Sequence, residues 1–267
     1  MNVLLIVKYD GSNFSGWQRL SHRRTVQGDL ERVLSKLCRQ KIEIKGTGRT
    51  DAGVHAYMQA ASFQGDFQIP LDRLKIAANK MLSDDLYIVD IREVDENFHA
   101  RFDCIGKTYI YKILISKEKN VFSKNYFYNL KDNLNVDLMK EAAKSLIGEK
   151  DFRSFMSSGS DKVETIREIY KIDISEHPDQ RLWDGQYQCQ DKIIQIKVIG
   201  NGFLYNMVRI MVGTLVDVGS GKIDPDAMNK IIESKDRSFA KHTAPAQGLY
   251  LEKIYFDKRE LEESIKT

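Results

Sequence analysis

The chain has 267 residues, 42% of them hydrophobic and 30% charged, with a formal net charge of +3. Such a chain can bury a core of its own, as one large domain or two ordinary ones. Its three cysteines, Cys38, Cys104 and Cys189, are widely spaced and lie outside any CxxC pattern, which argues against a disulfide framework or a zinc ribbon and fits a reducing cytoplasm.

The opening segment MNVLLIVKYDGSNF has a short apolar run closed by Lys8 and Asp10. It is strand-sized and lacks the basic leader and small-residue cleavage site of a signal peptide. No apolar run reaches the ~20 residues that cross a bilayer. The expectation is a soluble, unprocessed, cytoplasmic protein. Residues 1–60 hold ten Lys/Arg against five Asp/Glu, leaving −2 for the remainder. That excess is either a solvated basic face or a surface that attracts a polyanion such as RNA.

In chain order, residues 2–9 read as a buried strand. Val26, Leu30, Val33, Leu34 and Leu37 then recur at helical spacing behind a Thr25 cap. Residues 42–45 and 57–64 read as strands flanking a glycine-containing loop at 46–56. Pro70 introduces a helix with Leu71, Leu74, Ala77, Ala78, Met81 and Leu82 on one face, and a strand follows at 86–94. Strand-helix-strand thus occurs twice in the first hundred residues, which suggests a split βαβ arrangement. After a polar stretch at 95–106 comes KTYIYKILI, where Tyr109, Tyr111, Ile113 and Ile115 share one sheet face. Beyond it the pattern predicts a helix at 137–147, strands at 164–175 and 187–199, helices at 203–218 and 226–234, and a closing strand at 248–256. The fold class is α+β: two similar halves, 1–104 and 105–267, with a mixed, mainly antiparallel sheet and helices on one face.

The loop GTGRTDAGVHA at 46–56 places Gly46, Gly48 and Gly53 around Arg49 and Asp51. Glycine at that density signals an unusual backbone path or the close approach of a ligand. It is not a dinucleotide fingerprint, because Asp51 stands where the third glycine of GxGxxG would fall, and no GK[ST] follows as in a Walker loop. Two readings stay open on spacing alone. One is a bulged hairpin with Asp51 bonding its own backbone; the other is an ionised carboxylate beside a guanidinium, serving as nucleophile or base. In the 203–218 helix, Arg209 borders an apolar stripe of Leu204, Val208, Met211, Val212 and Leu215. An arginine there needs a partner, because an unpaired buried charge is costly. His22, His55, His99, His177 and His242 show no HxxxH or HxH spacing, so no metal site is expected.

The loop resembles the signature of the tRNA pseudouridine synthase A family. So do YDGSNFSGWQ at 9–18, FHARFD at 98–103, KTYIY at 107–111, GFLYNMVRIMVG at 202–213 and APAQGLYL at 244–251, all in family order and spanning nearly the whole chain. The resemblance implies the pseudouridine synthase fold, with the first half carrying a catalytic aspartate at Asp51 and the second completing the active-site cleft. It implies that Tyr109 stacks on the target base, that Arg209 pairs with Asp51, that Leu249 packs against the uracil, and that Arg49 helps hold the extruded nucleotide. Read alone, Tyr109 and Leu249 fit strand core, and Arg49 fits a phosphate contact. His55 and His99 fall inside matched segments, with structural or RNA-contacting roles.

The implied reaction is isomerisation of uridine to pseudouridine at positions 38, 39 and 40 of the tRNA anticodon stem-loop, by a homodimer with RNA lying across both subunits. The N1–C1′ bond breaks, the uracil turns and C5 joins C1′. Without redox change or net hydrolysis, no cofactor is expected. Asp51 suits attack at C1′, attack at C6, or removal of a sugar proton. A stacked nucleotide must first be extruded into the pocket, which calls for a basic surface shaped to the stem-loop. A catalytically silent RNA-binding relative is opposed by the presence of Asp51, Tyr109, Arg209 and Leu249 together. A carboxylate-pair glycoside hydrolase is opposed by the lack of an evident second acid beside Asp51.

Overall fold

A computed structural model describes residues 1–157, 164–178 and 191–267. Among the described residues there are ten strands and six α-helices, with antiparallel and parallel pairings mixed, so the chain is α+β as its sequence predicts. It divides into two compact units. The first is Met1–Lys107 with Tyr250–Glu262, and the second is Thr108–Leu249 with Glu263–Thr267. The sequence places one division after residue 104; in the structure the chain also returns to the first unit, through most of its closing strand.

The first unit opens with β1 (Asn2–Tyr9), α1 (Val26–Cys38), β2 (Lys45–Gly46), β3 (His55–Gln64), α2 (Leu71–Met81) and β4 (Leu86–Val94). β1 lies between β3 and β4 and is antiparallel to both, while β2 pairs antiparallel with β3. The order β4-β1-β3-β2 is the split βαβ arrangement that the repeated pattern suggests. The far edge of β3 is shared: Ala61 and Ser62 pair with β2, whereas His55 and Ala56 pair in parallel with Tyr250 and Leu251 of β10 (Leu249–Tyr255). β1 is buried almost throughout, with Val3, Leu5 and Val7 fully enclosed, as befits a strand with neighbours on both sides.

Local chemistry sets the helix ends. The Thr25 side chain accepts from the Gly28 amide at the start of α1, where an alanine would cost about 1 kcal/mol. Pro70 precedes α2, where its missing N–H is no loss. The expected strand at 42–45 shrinks to Lys45–Gly46. Ile42 and Ile44 are buried as their spacing predicts, yet their main chain bonds side chains of α1 and not a neighbouring strand. The Ile42 amide donates to Ser35 (2.9 Å), the Ile44 amide to Glu31 (2.9 Å), and the Ile44 carbonyl accepts from Gln27 (3.0 Å).

The second unit takes in most of β5 (Gly106–Ile115), then β6 (Tyr128–Leu130), α3 (Val136–Lys144), β7 (Gly148–Asp151), β8 (Ile166–Pro178), β9 (Lys192–Gly200), α4 (Met207–Gly219) and α5 (Ala227–Ser234). Its strands run in the order β5-β9-β8-β7, with β6 parallel to β5. The strand expected at 187–199 is found from Lys192; its first residues, 187–190, and Cys189 lie outside the described residues. The helix expected from 203 starts at Met207, because Asn206 takes the left-handed conformation (φ 61°) and the Met207 amide closes a turn on the Leu204 carbonyl. The helix expected to 147 ends at Lys144 and unwinds through tighter turns before Gly148. The final helix, α6 (Lys258–Lys266), was not foreseen: its residues are mostly charged and only Leu261 is buried.

One ion pair pins the segment that precedes α1. Arg24 donates through both terminal nitrogens to the Asp85 carboxylate (2.7 Å each) and through Nε to Asp29, and its guanidinium lies over the Phe14 ring. The Arg24 guanidinium holds the Asp85 carboxyl down to about 2. A carboxyl depressed in the fold stabilises it above the unfolded pKa and loses that contribution as pH falls through the folded value. The urea-midpoint advantage of the wild type over Asp85→Asn is therefore expected to be constant between about pH 7 and 5 and to shrink progressively below pH ~4. An advantage that does not change down to pH ~2.5 would exclude this linkage.

Candidate active site

The sequence-predicted residues fall into two groups, Arg49 and Asp51 in the first unit and Tyr109, Arg209 and Leu249 in the second. Asp51 is half-buried and Arg49 exposed, on the loop between β2 and β3. Both flanks of Asp51 are fixed. On one side Thr50 is buried; its hydroxyl lies 2.8 Å from the Tyr9 hydroxyl, and its carbonyl accepts from the Trp17 amide (3.1 Å). On the other, the Val54 amide turns back to the Asp51 carbonyl (3.2 Å), and His55 Nδ1 accepts from the Gly11 amide (3.1 Å).

The segment 9–18 is folded directly onto this loop. A Cβ at Gly11 would overlap the Val54 carbonyl. At Gly16, whose φ is 91°, a Cβ would stand 2.6 Å from the Thr50 carbonyl oxygen. Glycine is required at both places because backbone meets backbone. Trp17 is buried against Gly46, where a Cβ would fall 2.5 Å from its indole nitrogen. The loop's first residues are held from inside: the Thr47 hydroxyl donates to Gln59 Oε1 (2.6 Å), and Gln59 Nε2 donates to the Gly48 carbonyl (3.0 Å). Lys107 Nζ donates to the Thr47 carbonyl (3.0 Å), which adds a cation beside Gly48 and Arg49.

His55 is buried and stacks on Tyr250 (centroids 4.7 Å apart), which stacks in turn on the exposed Tyr57 (5.2 Å). The same Nδ1 lies 3.2 Å from the Asp10 carboxylate. His99 is half-buried in a turn, with Nδ1 accepting from the Arg101 amide (3.1 Å) and its own amide donating to Asp103 (2.7 Å). Both histidines shape main chain. Tyr9, Thr50, Gln59 and Lys107 were not singled out from the sequence, although Tyr9, Thr50 and Lys107 fall within quoted segments. A buried polar side chain there could have been suspected only once its neighbours were known.

In the second unit Arg209 lies on α4, where most other residues are buried, and is itself half-buried. Its Nε donates to the Ala244 carbonyl (2.8 Å) and its Nη1 to Asn206 Oδ1 (2.8 Å), while the Ala244 amide returns a bond to the Arg209 carbonyl (3.0 Å). The guanidinium is thus aimed by the segment 240–249, which α4 grips further along. Thr214 donates to the Ala240 carbonyl (3.1 Å), and His242 Nδ1 lies 3.1 Å from the buried Asp217 carboxylate. Tyr111 donates to the Pro245 carbonyl (2.7 Å), and its ring packs under Gly248, just before the buried Leu249. Tyr109 is buried edge-to-face with Phe203 at 5.1 Å. Among the described residues no group of three or more His, Cys, Asp or Glu is placed to hold a metal, and no helix is long and apolar enough to cross a membrane.

The first unit thus carries an aspartate on an anchored loop, and the second a guanidinium held by Ala244 and Asn206. A family model described as tRNA pseudouridine synthase matches residues 5–103 and 142–257. A protein of Geobacillus sp. (strain WCH70) named tRNA pseudouridine synthase A is 44% identical over 252 residues, 94% of this chain and 96% of the relative. One of Clostridium tetani named tRNA pseudouridine synthase A 2 is 42% identical over 96% of this chain and 99% of its own length. A Thermoanaerobacter sp. (strain X514) protein, again named tRNA pseudouridine synthase A, is likewise 42% identical, over 96% and 99%. With Arg49, Asp51, Arg209 and Leu249 inside the matched residues, the chain belongs to the tRNA pseudouridine synthase family, enzymes of the isomerase class.

Proposed function

We propose that the protein isomerises uridine to pseudouridine in the anticodon stem-loop of tRNA, at positions 38, 39 and 40, with Asp51 as nucleophile. The observation that carries this reading is the carboxylate's setting: a half-buried aspartate on a loop anchored on both flanks, in a chain of this family. Arg209 offsets the charge of Asp51, Tyr109 and Leu249 hold the uracil, and Arg49 steadies the extruded nucleotide. The atom balance is closed within one nucleotide. N1–C1′ is broken and C5–C1′ formed, and the proton released from C5 is matched by one gained at N1. The chain works as a cytoplasmic homodimer, with the RNA across both subunits.

Preorganisation favours this chemistry. A carboxylate on an anchored loop has less orientational freedom to lose on reaching the reacting carbon, and such positioning is a large part of many rate enhancements. The exposed Arg49 and the Lys107 ammonium supply positive charge for phosphates on the same unit.

Incubation of the protein with unmodified tRNA, followed by carbodiimide mapping of the isomer, is expected to show pseudouridine and no free uracil. Free uracil would instead mark a hydrolase, and tight binding without either product a silent binder. Asp51→Ala is expected to abolish product while keeping tRNA affinity within a few-fold; wild-type turnover in that variant would remove Asp51 from the chemistry. Arg209→Lys keeps the charge and loses the planar fork that reaches both Ala244 and Asn206. Its kcat is expected to fall at least ~tenfold, and an unchanged kcat would show that the fork is dispensable. Affinity for tRNA should fall by at least ~tenfold between 50 and 200 mM salt, as phosphate contacts require. A salt-independent Kd would contradict a phosphate-reading surface.

A further inference from the structure

Four polar side chains that the reaction itself does not call on are buried together around the Asp51 loop. Tyr9 is 5% exposed, Thr47 3%, Thr50 7% and Gln59 fully enclosed. Burying a hydroxyl or an amide is costly unless it is bonded, and here each is. The Tyr9 and Thr50 hydroxyls bond each other, and Gln59 spans Thr47 and the Gly48 carbonyl. Burial of the Tyr9 phenol raises its pKa, so it stays a neutral hydroxyl through the working range. Apolar side chains of similar volume could fill this space. What a bonded network adds is a single arrangement: Tyr9 ends β1 where the pairing with β3 slips register between Val7 and Tyr9, and its hydroxyl reaches the residue immediately before Asp51.

We infer that the Tyr9 hydroxyl is a positioning group for the isomerisation, acting through Thr50, while Gln59 holds the loop's entry at Thr47 and Gly48. It touches no substrate. Its effect is to restrict the backbone at residues 50 and 51, so that the carboxylate meets the nucleotide in one orientation and does not sample several. Such a role falls on the chemical step and leaves the capture of tRNA, which depends on phosphate contacts, unchanged. The inference rests on Asp51 as the reacting group.

Tyr9→Phe is the direct test, because the ring keeps its packing against Phe14 and Trp17 (6.3 Å each) and loses only the hydroxyl. In the full-length protein with unmodified tRNA, single-turnover rate and kcat are expected to fall about tenfold, with KM for tRNA within about twofold of wild type. Thr50→Val should reproduce the loss and Thr50→Ser should restore most of it. The double variant Tyr9→Phe/Thr50→Val should be no slower than the slower single one, as expected of two ends of one interaction. A kcat within twofold of wild type in Tyr9→Phe, fully additive losses in the double variant, or a rise in KM in place of a fall in kcat would each overturn the role. If Tyr9→Phe does not fold, the contrast between Thr50→Val and Thr50→Ser decides, equal rates counting against it. Asp51→Asn, assayed in parallel, separates the two readings. Turnover persisting there overturns both, whereas an inactive Asp51→Asn beside a fully active Tyr9→Phe overturns only the role of Tyr9.

Discussion

Gly11 lies against the Val54 carbonyl and Gly16 against that of Thr50, so two stretches distant in sequence share a backbone interface that no side chain can enter. Around this contact the amides of Gly11 and Trp17 find acceptors on the loop, at His55 Nδ1 and the Thr50 carbonyl. A buried amide without a partner costs roughly 1–3 kcal/mol, so these bonds and the close approach require each other. Asp51 sits between the two anchored points. The Arg24–Asp85 pair extends the same constraint outward, because it fixes the end of the segment whose glycines make the contact.

The second unit uses related physics for a different purpose. Gly213 on α4 lets the helix approach the His242 main chain without the overlap a Cβ would bring. The reciprocal bonds between Arg209 and Ala244 then run alongside that contact. An arginine on a helix that is otherwise nearly all buried is tolerable only when its donors are committed, and two of them are committed to Ala244 and Asn206. Arg209 therefore serves first as a structural link between α4 and the segment leading to Leu249. One main-chain and one side-chain acceptor thus hold the guanidinium in a single orientation.

Much of the fold was legible because the relevant signals are local. The Thr25 cap with Val26, Leu30, Val33 and Leu34, the helix behind Pro70, and the strands at 2–9 and 86–94 all follow from spacing and capping alone, and each appears with nearly the expected bounds. The misjudged segments are those where tertiary bonds replace local ones. Residues 42–44 alternate like a strand, but their amides go to Ser35 and Glu31. The approach to α4 has helical periodicity, but Asn206 turns left-handed. The polar helix α6 has only two apolar residues, Leu261 and Ile265, too few to mark it in the sequence.

By itself the sequence determined the chemistry available: one aspartate among glycines and cations, an arginine beside an apolar stripe, and six segments in the order of one family. It also determined the period-2 and period-3.6 patterns that build the elements around them. Only the tertiary structure decided what holds the aspartate. Spacing within a loop cannot report that Tyr9 reaches Thr50, that Gln59 spans Thr47 and Gly48, or that Lys107 bonds the Thr47 carbonyl. Those contacts join residues 11 to 60 positions apart along the chain. Tyr9, Thr47 and Gln59 are brought near one another by the pairing of β3 with β1 and β2, and the loop's buried polar groups must then find partners within reach.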